Sequence, residues 1–236
     1  MSPNGVRTLV LWDIDRTLLD LPRLGGGWYR QAMVEVTGRE PERQPAFGGR
    51  TDRWIAIQLL TDGGFEPSDE LIDRLHAAVV RIAGDERDRI AQLGVVLPGV
   101  PAVLRAIAGR PDVAQGLVTG NLRAIAGFKL DAFGLGEYLD LDVGGYGGSS
   151  AQRAVLVADA LTSATRRHGV EFPAGSVAVV GDTPHDVRAA LAHGARAVGV
   201  ATGAHPAEEL LAAGAHAVLP DLADTERALA AILPAS

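Results

Sequence analysis

Apolar residues gather in short runs that end abruptly in charge, glycine or threonine. The first, TLVLWD at 8–13, is followed by similar runs at 113–118, 177–180 and 197–200, with weaker ones at 138–143 and 216–219. Runs that are apolar at successive positions suit strands buried on both faces of a parallel sheet. Between them, Ala/Leu/Arg-rich segments at 99–109, 121–133, 151–168, 184–193, 206–213 and 222–233 carry helical spacing. Strands alternating with helices of this length predict a parallel sheet wound with right-handed crossovers and covered by helices on both sides.

Residues 20–97 break that rhythm. They hold no convincing buried strand but show helical stretches near 28–37, 51–61 and 68–93, opening at PRLGGGW, which reads as flexible, and closing at LPGVP. The expected organisation is an α/β, Rossmann-like core of 1–19 and 98–236 with an α-helical cap of 20–97 inserted into it. An insertion after the first strand hangs over the carboxyl ends of the strands, where open α/β sheets bind ligands, and makes a natural lid. The segment GGYGGSS, 144–150, reads as a flexible loop.

Composition narrows the classes of function. The 236 residues carry a net charge of −7, which argues against a broad nucleic-acid surface. Cysteine is absent, so thiol nucleophiles, thiolate-bound zinc and disulfides are excluded together. The amino-terminal run is too short and ends in acid too soon for a signal peptide or a membrane span, and a cytoplasmic location without membrane or nucleic-acid partners is expected. Lys129 is the single lysine among 22 basic residues.

The candidate chemistry sits at the ends of the apolar runs. In WDIDRTLLD, Asp13 and Asp15 stand two residues apart at the end of the first strand, with Thr17 two further on. Carboxylates at that spacing share a face and repel unless a cation or proton relieves them. A second acidic end is VAVVGDTPHDVRAAL, with Asp182 and Asp186, where Pro184 suits the first position of a helix. Mg²⁺ takes one or two carboxylates plus phosphate oxygens, and two acidic strand ends can supply such a site. The run GLVTGN ends in Thr119, Gly120 and Asn121, a hydroxyl, an open backbone and an amide ahead of a helix, which has the form of an anion cradle.

Taken in order, DIDRT, VTGN, the lysine at 129 and GDTPHD resemble the haloacid dehalogenase-like superfamily of hydrolases, particularly its phosphatases with a helical cap. Phosphoglycolate-phosphatase-like members are similar in layout over essentially the whole chain. The resemblance implies a Mg²⁺-dependent phosphatase that hydrolyses a small phosphorylated metabolite through an aspartyl-phosphate. It makes Asp13 the nucleophile and Asp15 the acid/base, with Thr119 on the phosphoryl oxygens. Asp13, the Asp15 carbonyl, Asp182 and Asp186 would hold the metal. Candidate substrate-binding residues are Thr17, Gly120, Asn121 and, from the insertion, Arg50. The family also needs a cation beside the nucleophile: Lys129, ten residues after Thr119, is the first candidate and Arg153 the second. Arg16 and Trp12 depart from the glycine and phenylalanine that are usual in the family.

Alternatives from other classes are a 2-haloacid dehalogenase, against which the presence of Asp15 speaks, a sugar phosphomutase, and a non-catalytic phospho-signalling module, for which the chain is too long. A monomer or homodimer is expected. The histidines at 76, 168, 193, 205 and 216 lack metal-binding spacing and read as surface or loop residues, and LDLDV, 139–143, reads as a strand edge leading into the glycine loop. Arg50, Thr51 and Asp52 read equally well as a turn facing the phosphate end of the sheet and as a helix N-cap.

Overall fold

The computed structural model describes residues 5–21 and 24–233. Its strands are β1 (Thr8–Trp12), β2 (Leu19–Asp20), β3 (Val95–Val96), β4 (Val113–Thr119), β5 (Gly144–Tyr146), β6 (Val177–Gly181), β7 (Arg196–Val200) and β8 (Ala217–Leu219). Four helices lie between β2 and β3: α1 (Leu24–Thr37), α2 (Asp52–Asp62), α3 (Asp69–Asp85) and α4 (Arg87–Leu93). The others are α5 (Val100–Ala108), α6 (Arg123–Asp131), α7 (Arg153–His168), α8 (Pro184–Leu191), α9 (Ala207–Ala212) and α10 (Thr225–Ile232).

Six strands form one parallel sheet in the order β5-β4-β1-β6-β7-β8. All five residues of β1 are buried, and they feed two cores alternately. Val10 and Trp12 pack with α5, α6 and α10 on one face, while Leu9 and Leu11 pack with α7, α8 and α9 on the other. Burial on both faces explains why the strand is uninterruptedly apolar. The buried indole of Trp12 needs a polar partner, and Gln115 of β4 supplies it: Trp12 Nε1 donates to Gln115 Oε1 at 3.1 Å, and Gln115 Nε2 donates to the carbonyls of Leu104 and Tyr138.

From β1 the chain runs first to β4 and β5 on one side, then returns to β6, β7 and β8 on the other. The direction of winding thus reverses around β1, which places the ligand crevice at its carboxyl end.

Leu19–Asp20 and Val95–Val96 pair antiparallel, closing the base of the helical insertion with a two-stranded ribbon that the sequence reading did not foresee. Above it, α1 to α4 enclose their own apolar cluster, built from residues such as Trp28, Met33, Leu59, Leu75 and Ile90, which α6 joins through Leu122 and Ile125. Helix α1 starts at Leu24, so the three glycines expected to be flexible are helical. The preceding residues 22–23, also assigned to the flexible opening, lie outside the described residues.

One strand is displaced from its expected position. Residues 138–143, read as a weak strand, form a 3₁₀ turn and a loop, and the fifth strand is the GGY at 144–146, read as a loop. Asp140 and Asp142 lie in the loop ahead of that strand, paired with Arg167 and Arg123. Glycine is what allows β5 to pack there, because a Cβ on Gly145 would come 1.8 Å from the Leu156 carbonyl of α7.

Candidate functional site

Three adjacent strands deliver the acidic and polar ends into one crevice. Asp13 follows β1 and continues the sheet by donating its N–H to the Val180 carbonyl at 2.9 Å, Thr119 ends β4, and Asp182 follows β6. After β1 the chain turns sharply, with the N–H groups of Thr17, Leu18 and Leu19 all directed at the Ile14 carbonyl. Arg16 takes φ +63°, the left-handed conformation that favours glycine, and its carbonyl accepts from Thr202 Oγ1. Over this crevice the helical insertion closes a cavity of about 590 Å³.

Two cations divide the carboxylates between them. Arg153 Nη2 lies 2.7 Å from Asp13 Oδ1 and 2.6 Å from Asp186 Oδ1, with all three side chains almost fully buried. These are ion pairs off the N–H directions, and they leave Arg153 Nε and Asp186 Oδ1 without an aligned hydrogen bond. Lys129 Nζ instead sits 2.6 Å from both oxygens of Asp15 and donates to Asn121 Oδ1 at 2.8 Å. Asn121 completes the clasp by donating from Nδ2 to Asp15 Oδ2 and to Thr119 Oγ1. The cation beside Asp13 is therefore Arg153, the second candidate. Lys129, the first, is the partner of Asp15, because α6 carries it up on the Asn121 side of the crevice.

The electrostatics separate the two aspartates. Burial, which Arg153 only partly offsets, together with the charges of Asp186 and Asp15, pushes Asp13 up to about 7. Burial also works to raise Asp15, but the Lys129 ammonium, its hydrogen bond and that from Asn121 outweigh it and hold the carboxyl below its ordinary value. Asp182 is driven up to about 8 by burial and by the charges of Asp13 and Asp186. Although burial disfavours a charged guanidinium, the carboxylates of Asp186 and Asp13 hold Arg153 firmly protonated.

Asp13, Asp182 and Asp186 bring carboxylate oxygens within 4.8 Å of one another. Of the three buried acids Arg153 pairs with Asp13 and Asp186 only, and all three offer hard oxygen donors, so the cluster fits a divalent cation of the Mg²⁺ type. Asp186 also closes a capping box on α8, with Thr183 N and Oγ1 donating to its Oδ2, which fixes its position in the carboxylate cluster. The Asp15 carboxylate is not part of the cluster. Thr17 is fully buried with its hydroxyl unpartnered.

Segment 48–53 carries the insertion down onto this floor. The N–H groups of Asp52 and Arg53 donate to the carbonyls of Gly120 and Gly147 at 2.7 and 2.8 Å. The Asp52 carboxylate accepts from Leu122 N at 2.6 Å, at the start of α6. Burial above all raises that carboxyl to about 6 against the Leu122 hydrogen bond. Such close approach needs glycine: a Cβ on Gly120 would lie 2.0 Å from the Arg50 carbonyl, and one on Gly147 1.7 Å from that of Gly120. Thr51 is the N-cap of α2, accepting from Trp54 N, and Arg50 borders the cavity with its guanidinium 4.4 Å from the centre of the Trp54 ring. Both readings of the turn are thus realised together, while the tie from Asp52 to α6 joins positions 70 residues apart and has no local signature. His76 is buried on α3, contrary to its reading as a surface residue.

A parallel α/β core with acidic strand ends under a helical insertion defines a class of hydrolytic enzyme. The chain belongs to the haloacid dehalogenase-like hydrolase family, which residues 10–191 match. It is 27% identical to the "Probable phosphatase IndB" of Dickeya dadantii, over 98% of this chain and 97% of that protein. It is 28% identical to the phosphoglycolate phosphatase of Pseudomonas putida, over 94% of this chain and 79% of that protein. Among solved structures, a hydrolase from Pseudomonas syringae shares the fold at a TM-score of 0.68 and 22% identity, over 97% of this chain and 100% of that one. Among the described residues no helix is long and apolar enough to cross a membrane.

Proposed function

We propose that this hydrolase is a Mg²⁺-dependent phosphatase, acting in the cytoplasm on a small phosphorylated metabolite through an aspartyl-phosphate on Asp13. The observation that carries the reading is the separation of two neighbouring carboxylates into opposite surroundings, Asp13 buried against a guanidinium and Asp15 half-exposed against an ammonium. Paired acids with divergent surroundings are the arrangement by which one site runs nucleophilic and acid/base steps.

When bound, Mg²⁺ supplies the positive charge that keeps the Asp13 cluster ionised and neutralises phosphoryl oxygens. Asp13 attacks phosphorus, with Arg153 balancing charge beside it, and Thr119, Gly120, Asn121 and Arg50 orient the phosphoryl group. A phosphoryl dianion arriving beside Asp15 raises that carboxyl's proton affinity by like-charge repulsion, generating the acid that protonates the leaving oxygen. Ionised again, and oriented by Lys129 and Asn121, Asp15 takes a proton from the water that cleaves the aspartyl-phosphate. Residues 20–97 serve as the cap that excludes other water, over a core of 1–19 and 98–236.

The test is phosphate release from a panel of metabolite phosphates with and without Mg²⁺, in the native protein and Asp13→Asn. Metal-dependent turnover abolished by the substitution is expected; turnover that survives Asp13→Asn, or no release from any ester, refutes the reading.

A further inference from the structure

Helical spacing gives residue 25 a cavity-facing position on α1, and the chain puts glycine there. The buried residues of α1 are Leu24, Trp28, Tyr29, Ala32 and Met33. Residue 25 precedes Trp28 and Tyr29 by three and four positions, the spacing that stacks side chains on one face. Gly25, Trp28 and Tyr29 all border the cavity. A Cβ built on Gly25 meets no atom of the described residues within 4 Å, so among them the position is open space and not a tight contact. Glycine in a helix costs about 1 kcal/mol relative to alanine, so helix stability does not account for it.

The chemistry of the walls says what that space suits. Beside the acidic residues of the lining, Asp52 among them, Trp28, Tyr29, Ile55, Val79 and Ile125 contribute buried apolar side chains. Apart from Arg50, the basic side chains of the lining have partners: Asp15 for Lys129, Asp13 and Asp186 for Arg153, Asp20 at 3.0 Å for Arg16, and Glu209 at 2.7 Å for the His205 ring. Arg50 has no carboxylate within 4 Å among the described residues, and in the phosphatase reading it meets the phosphoryl group. No described cation is left over for an acid on the leaving group. A cavity of about 590 Å³ also lies in the range that holds drug-sized ligands.

We infer that the site takes phosphomonoesters whose leaving group is bulky, apolar or aromatic, and uncharged, and that Gly25 sets the room for it. The inference rests on the phosphatase reading and departs from glycolate, the small carboxylate-bearing group named for one relative. The leaving group lies along α1 beside Trp28 and Tyr29, where a side chain at position 25 would otherwise project.

Two measurements separate the pocket from the chemistry. The first is calorimetric binding, with Mg²⁺, of 2-naphthylmethylphosphonate, ethylphosphonate and phosphonoacetate, which resist phosphate-ester hydrolysis. The second is kcat/KM for 2-naphthylmethyl phosphate, ethyl phosphate and phosphoglycolate, all of which leave as aliphatic alcohols. The naphthylmethyl compounds are expected to be preferred over both others by about tenfold or more in each measurement. Gly25→Leu should lower that preference by about tenfold, with Gly25→Ala, which favours the helix, falling between. Preference for the small or carboxylate-bearing compounds, or an unaltered preference in Gly25→Leu, overturns the inference while leaving the phosphatase reading intact. Selective binding of the naphthylmethylphosphonate without turnover of any ester supports the pocket and refutes the phosphatase reading.

Discussion

Lys129 Nζ stands 2.6 Å from both carboxylate oxygens of Asp15, whereas Asp13, two residues earlier, is paired with Arg153. The chain thus gives each aspartate its own cation, and the two cations should fail differently when removed. Lys129 is buried but Asp15 keeps 42% of its side-chain surface exposed, so its carboxylate can hydrate when the ammonium is lost and the cost falls well below that of breaking a fully buried pair. Lys129→Met is therefore expected to leave the denaturation midpoint nearly unchanged while lowering kcat about 100-fold through a misplaced acid/base. Arg153→Met strips the guanidinium from the buried carboxylates of Asp13 and Asp186, and breaking a buried pair costs about 3–5 kcal/mol. Its metal-free form should lose stability on that scale, with a kcat loss of about 1,000-fold in the metal-loaded protein. Urea denaturation beside steady-state kinetics decides the matter, and equal stability losses in the two variants would contradict this division.

Arg16 is the one non-glycine residue with positive φ among the described residues. The left-handed conformation costs a residue with a Cβ about 1–2 kcal/mol, and glycine adopts it freely. Arg16→Ala keeps that cost and loses the ion pair with Asp20; Arg16→Gly loses the pair and the strain together. The glycine variant should consequently be about 1 kcal/mol more stable than the alanine variant in urea titrations. The reverse order would mean that strain at φ +63° is not what the glycine relieves at this turn.

What the sequence made legible follows from how local each signal is. A buried strand that runs straight into acid, as at Asp13 and Asp182, announces a site because nothing in a core requires it. The pairing of cations was not local. Reading 138–143 as the strand and 144–150 as a loop hid the register that sets Thr119 beside Tyr146, and with it the path by which the chain enters α7 close above Asp13. Lys129, on the shorter route through α6, therefore looked nearer to Asp13 than it is. The gap at Gly25 was equally hidden, because three glycines in a row signal flexibility until neighbouring helices hold them in α1.

Asp52 ties α2 to α6 through Leu122 N, so removing its acceptor leaves a buried N–H unpaired, at about 1–3 kcal/mol. Asp52→Ala should lose stability on that scale. Asp52→Asn keeps an acceptor and carries no charge, which matters because burial has already raised the native carboxyl to about 6. The asparagine variant should accordingly be more stable than the alanine variant at every pH, and its disadvantage against the native protein should shrink between pH 5 and 8. Guanidinium titrations of the three proteins at those two pH values provide the check.

The raised carboxylates make a signed prediction for the whole protein. Asp13 titrates near 7 and Asp182 near 8 in the folded, metal-free chain, against an ordinary 3.8 when unfolded. His76, His168 and His185, whose pKa values burial lowers, pull the other way at acid pH, but between about pH 6.5 and pH 8 the folded state holds more protons than the unfolded one, so stability falls as pH rises through that window. The loss should be on the order of a few kcal/mol in EDTA. Mg²⁺ competes with those protons and binds only the folded cluster, so its stabilising effect should grow as pH rises and its binding should release protons. Thermal unfolding from pH 5 to 9, with EDTA and with Mg²⁺, reads both effects. A metal-free protein whose stability rises toward pH 8, or a Mg²⁺ increment that is larger at pH 5 than at pH 8, would show that these three carboxylates are not the cluster that takes the metal.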